Sequence, residues 1–112
     1  MSEHKENISF NEFKKINLQI GKITSAENLE GYNKILKVLV DIGNEKREIL
    51  SGIARHYDTN ELIGKYVVIC TNLEPKKIGN SISNGMLLAA EKDGKPILLT
   101  VNEEVDPGSA IS

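Results

Sequence analysis

Apolar positions in this chain alternate more often than they recur with helical spacing. Leu18 and Ile20 flank Gln19, and after Gly21 the apolar parity shifts to Ile23. A glycine at such a shift predicts a bulge or a sharp bend in a strand. From Ile35 to Ile42, Leu36, Val38, Val40 and Ile42 share one face, and Lys37 and Asp41 point the other way. That is the pattern of a half-buried strand. Gly43-Asn44 predicts a turn, with Arg47 to Ser51 as the returning strand. Tyr66 to Thr71, YVVICT, is a continuous apolar run suited to a central strand. Met86 to Ala90 reads as the next strand and Asp93-Gly94 as a hairpin turn. Ile97 to Val101 closes that hairpin, with Pro96 at the strand entrance, where a missing N–H is tolerated. Pro107-Gly108 makes a final turn.

Helical signals are short. Ser9 followed by Glu12 matches a capping box, and Phe10 and Phe13 fall on one helical face. A helix is expected over about 10–15, with both aromatics packed on the body of the domain. Asp58 to Glu61 forms a second such box inside the long connection 52–65, and Gly64 is placed to end that helix. Residues 1–8 read as a flexible tail and 9–112 as one domain. About six short strands, two helical pieces and no long helix leave nothing to cross between parallel strands. A closed all-β barrel removes exposed sheet edges. A helix between the third and fourth strands suits the OB type, a five-stranded Greek-key barrel, here with a short N-terminal helix and additional C-terminal strands.

Composition narrows the function classes. The single cysteine, Cys70, cannot form an internal bridge, which fits a reducing compartment. The opening MSEHKEN lacks a signal-peptide core, and no window is apolar enough to span a membrane. A cytoplasmic location is expected. Net charge is −2, whereas strong nonspecific nucleic-acid binders are basic overall. Setting aside Glu103, Glu104 and Asp106 in the last twelve residues leaves 14 cations against 13 carboxylates. Any basic surface must therefore be local.

Catalytic and metal chemistry find little support. His4, His56 and Cys70 are isolated, and neither CxxC nor HxxxH spacing is present. Ser51-Gly52 lacks the GxSxG flanks of a nucleophile elbow, and no phosphate loop is present. No enzyme, cofactor or metal site is expected.

Binding chemistry concentrates in NLEPKKIGNSISNGMLLAA, residues 72–90. Lys76 and Lys77 can neutralise phosphates and release counterions. Gly79 and Gly85 lack a Cβ and allow close backbone approach to a ligand. Asn80, Ser81, Ser83 and Asn84 can hydrogen-bond ribose and phosphate oxygens. Met86 can offer a soft apolar surface to a base or sugar. Each has a plainer reading: solvated lysines, a turn at Asn84-Gly85, a Ser83 bonded within its own loop, a core Met86. Asn72 ends the apolar strand and can cap the following turn. Arg47 and Arg55 are further candidate phosphate contacts. Tyr32 and Tyr57 can stack on a base or sit half-buried.

The segments KILKVLVDIG (34–43), REILSGI (47–53), ELIGKYVVICTNLEPKKI (61–78) and SNGMLLAA (83–90) occur in an order and spacing that give the resemblance. The chain resembles the structure-specific tRNA-binding domain family over about Phe10 to Ile111. That module occurs free-standing, at the C-terminus of bacterial methionyl-tRNA synthetase, and in cytokine-like cofactors of synthetase complexes. A chain opening on its own short leader reads as free-standing. The resemblance implies an OB barrel without catalysis, tRNA recognised by shape at the outer corner of the L, and a homodimer. It favours a phosphate contact for Lys34, alongside Asn72, Lys76, Lys77, Ser81, Ser83, Asn84, Gly85 and Met86. Gly79 stands where members often carry arginine, and 29–34 lack the His-Pro pair common before the lysine. A related export-linked, chaperone-like branch binds peptides, and a tRNA-delivering cofactor of a synthetase is a third reading on the same scaffold.

Overall fold

The computed structural model describes residues 5–112, so His4 and the first part of the expected tail lie outside the described residues. Helix α1 (Phe10–Phe13) precedes strands β1 (Leu18–Asn28), β2 (Leu36–Asp41) and β3 (Lys46–Ser51). Helix α2 (Thr59–Leu62) leads into β4 (Tyr66–Cys70). The hairpin β5 (Lys76–Ile78) and β6 (Ser81–Ser83), the short β7 (Met86–Leu87), and the hairpin β8 (Ala89–Lys92) and β9 (Lys95–Leu98) follow.

Five strands form one antiparallel sheet in the order β3-β2-β1-β4-β7. It curls until its edges nearly meet. The Asn84 N–H donates to the Glu48 carbonyl at 2.9 Å, and the Leu50 N–H donates to Ser83 Oγ at 2.9 Å. This is the OB-like barrel expected from the sequence. Its interior is aliphatic: Leu36, Val38, Val40 and Ile42 from the alternating segment meet Ile23, Ile49, Val67 and Ile69. Leu62 of α2 plugs one end, fully buried. Glu61 Oε1 accepts from the Asp58 N–H at 2.8 Å, so the second capping signal is realised.

Several boundaries differ from expectation. Gly21 sits in the unbroken β1 opposite Val67, and the irregularity falls between Ile23 and Ser25. A Cβ on Gly21 would lie 2.3 Å from Val40 Cγ1, so this glycine serves close packing across the barrel. Met86 to Ala90 is divided at Leu88, whose N–H donates to the Val68 carbonyl while its own carbonyl accepts from Leu99. The chain there passes from the barrel to the C-terminal hairpin. That hairpin turns at Asp93 and Gly94, both at positive φ, as the sequence predicts. The reach 76–83 pairs as a hairpin rather than running as a loop.

Helix α1 forms with the expected cap, as Ser9 Oγ accepts from the Glu12 N–H at 3.1 Å, but it closes at Phe13. Its aromatics are not core residues: Phe10 is 72% exposed and Phe13 43%. Periodicity defines an apolar face. It does not say what covers that face.

Candidate nucleic-acid interface

Three stretches distant in sequence meet on one flank of the barrel. The end of β3 brings Leu50, Ser51 and Gly52 beside Ile35. The reach after β4 brings Asn72, Leu73 and Glu74. The β5–β6 hairpin and its exit bring Lys76, Ile78, Ser83, Gly85 and Met86. They line an open cleft of about 810 Å³. Five sequence-marked residues, Asn72, Lys76, Ser83, Gly85 and Met86, thus share one surface. Ile35, Leu73, Glu74 and Ile78 join them without any distinguishing sequence signal.

The two adjacent lysines separate. Side chains alternate across a strand, so Lys76 shares its face with Ile78 in the cleft. Lys77 lies opposite Ile82 on the other face of the hairpin. Both lysines are exposed. Lys34 adjoins the cleft residue Ile35, and its carbonyl accepts from the Ala54 N–H at 3.1 Å. Its side chain is exposed, as is that of Arg55, which follows Ala54 in the connection after β3.

Polar groups marked for the ligand are largely engaged with the protein itself. Ser83 is only 5% exposed; its hydroxyl accepts from Leu50 N and donates to the Gly85 carbonyl at 3.0 Å. Asn72 Oδ1 accepts from the Asn17 N–H at 2.8 Å, and its Nδ2 donates to the Lys15 carbonyl. This side chain fastens residues 15–17 to the end of β4. Arg47 turns inward: one guanidinium nitrogen donates to the carbonyls of Thr71 at 2.8 Å and Asn84 at 3.2 Å. The other terminal nitrogen meets Glu45 Oε2 at 3.3 Å. Arg47, Lys77 and Asn84 do not line the cleft, and Ser81 lines a separate one.

The glycines also serve the fold. Gly85 has φ +141°, and a Cβ there would lie 3.0 Å from the Cys70 carbonyl oxygen and 3.3 Å from Ile49 Cδ1. Its close approach is to the barrel. Tyr32 covers Gly79, with its hydroxyl oxygen 3.2 Å and its ring 3.4 Å from where a Cβ would stand. Tyr32, Lys37, Asn80 and Ser81 line a second, polar cleft of about 460 Å³ on the far side of Ile78. Tyr57 is half-buried; its hydroxyl donates to the Pro96 carbonyl and accepts from Leu98 N, both at 3.1 Å.

Met86 is 47% exposed and joins two surfaces. It lines the cleft, and with Phe13, Ile16, Leu73 and Leu88 it lines an apolar groove of about 430 Å³. Cys70 is buried beneath that groove. Among the described residues, no group of three or more His, Cys, Asp or Glu side chains is placed to hold a metal ion. No helix among them is long and apolar enough to cross a membrane.

Comparison with known families is decisive at this point: residues 18–110 match the tRNA binding domain family. The chain belongs to that family. Two methionine–tRNA ligases are among the relatives of this tRNA binding domain. That of Archaeoglobus fulgidus is 48% identical over 109 residues, which is 97% of this chain and 17% of the relative. That of Thermotoga maritima is 41% identical over 112 residues, 100% of this chain and 18% of the relative. The chain thus spans under a fifth of the length of those ligases. Among solved structures, the MetRS related protein from Pyrococcus horikoshii superposes with a TM-score of 0.90 at 38% identity, covering 96% of this chain and all of that one. The chaperone CsaA from Bacillus anthracis superposes at 0.88 with 27% identity, over 96% of this chain and all of that one.

Proposed function

We propose that this chain binds folded tRNA by shape and without catalysis, using the cleft between β3, the β4 exit and the β5–β6 hairpin. One observation carries the reading. Five residues marked within 72–90, Lys76 among them, meet the end of β3 there, in a domain whose family is defined by tRNA binding. Lys76 and the neighbouring Lys34 supply the phosphate contacts, and Met86 and Ile78 supply apolar surface for ribose or base. Few cations meet the RNA, so affinity is modest and contour selects the ligand. The cytoplasm is the expected setting. Likeness to methionine–tRNA ligases supports association with an aminoacyl-tRNA synthetase, to which the domain would deliver tRNA. The exposed Phe13 and Ile16 of the apolar groove, together with the exposed Phe10 of helix α1, support a homodimer. Sedimentation of the Phe10→Ser/Phe13→Ser variant tests this, with a shift toward monomer expected.

A second reading, an export-related chaperone that binds peptides, draws on the apolar Ile35, Leu50, Leu73, Ile78 and Met86 in the cleft wall and the likeness to CsaA. Salt separates the two. Affinity for tRNA should fall with a log–log slope of about −0.7 to −0.9 per phosphate contact. Binding that persists unchanged from low to high salt, and that an apolar peptide displaces, would favour the chaperone.

A further inference from the structure

We infer that Arg47 is a positioning residue, an internal clamp that sets the cleft's width without touching the RNA. This rests on the tRNA reading only for its effect on affinity. A guanidinium offers five N–H donors in one plane and accepts none. In Arg47 one nitrogen bridges the carbonyls of Thr71 and Asn84, 2.8 and 3.2 Å away. Those carbonyls belong to two segments that wall the cleft, each immediately beside a lining residue: Asn72 in one, Ser83 and Gly85 in the other. Glu45 takes a further donor at 3.3 Å and holds the plane in place. Charge-assisted hydrogen bonds of this kind are stronger than neutral ones.

The same strand grips Asn84 twice. Its N–H donates to the Glu48 carbonyl at 2.9 Å, and its carbonyl accepts from Arg47. Strand β3 therefore fixes the spacing between the β4 exit and the loop that presents Gly85 and Met86. Only a quarter of the Arg47 side chain is exposed. A phosphate drawing it outward would strip two carbonyls and a carboxylate of their partner.

Amide hydrogen exchange on the whole chain, with tRNA affinity measured across a salt series, tests the clamp. Arg47→Met removes the donors, and Arg47→Lys keeps the charge but loses the planar fork. Both variants should speed exchange at the Asn84 amide about tenfold or more while leaving the Val38 and Ile69 amides at the wild-type rate. Both should weaken tRNA binding and keep the wild-type salt slope. An unchanged Asn84 amide in either variant overturns the clamp. So does a slope flattened by about 0.7 to 0.9 in Arg47→Met and restored in Arg47→Lys, the mark of a phosphate contact. Should Arg47→Met fail to fold, Arg47→Lys carries both readouts. A wild type that binds no folded tRNA defeats the proposed function, and the exchange rates still decide the clamp.

Discussion

Replacing Ser83 with alanine separates a ligand contact from a structural brace. Ser83 is 5% exposed, and its hydroxyl holds Leu50 N at 2.9 Å and the Gly85 carbonyl at 3.0 Å. Leu50 is itself only 9% exposed, so water cannot readily take over its N–H. A buried donor left without a partner costs about 1–3 kcal/mol. The Gly85 carbonyl borders the open cleft, where water can reach it, and adds a smaller loss. Ser83→Ala should therefore destabilise the barrel by about 2–3 kcal/mol. Domains of this kind are stable by about 5–15 kcal/mol, so the variant stays folded. Urea unfolding reads the change. With a slope of about 1–3 kcal/mol per molar, the midpoint should fall by about 1 M at unchanged slope. Exchange at the Leu50 amide should rise as well. A midpoint within about 0.3 M of wild type, together with a selective loss of tRNA binding, would refute the reasoning and return Ser83 to direct contact.

The two lysines should behave differently: Lys76→Ala flattens the salt slope by about 0.7 to 0.9 and weakens all tRNAs alike. Lys77→Ala, on the opposite hairpin face, leaves the slope near wild type, and fluorescence titrations across salt distinguish them. Gly21→Ala drives a methyl into Val40 Cγ1, only 2.3 Å away. Overpacking of this kind costs about 1–3 kcal/mol, read as a lower thermal midpoint by circular dichroism.

The barrel was legible because its strands are buried on one face or on both. Leu36, Val38 and Val40 recur at every second position and are the buried ones, and Tyr66 to Cys70 is apolar throughout, so local pattern and final burial coincide. The β5–β6 hairpin was not, because KKI and SIS are three residues each, too short for alternation to stand out. The cleft was half legible. The sequence marks Lys76 and Met86 by residue type, but not that Lys77 faces away, which depends on pairing with Ile82. The internal bonding of Ser83 and Arg47 was hidden for one reason. A polar or charged side chain reads as surface chemistry, and the partners that join one segment to another lie 24 to 37 residues away in the chain. The helix α1 aromatics mislead in the opposite sense, since an apolar stripe reads as core and here stays exposed.

Competition binding puts the central claim to its most direct test. Labelled folded tRNA, held by the wild-type chain near physiological salt, is challenged with unlabelled folded tRNA, the same RNA unfolded, RNA duplex and a random polyanion. Recognition by contour predicts displacement by folded tRNA at a concentration at least tenfold below that of any other competitor, a gap of about 1.4 kcal/mol. Equal displacement by the duplex or the polyanion would contradict it.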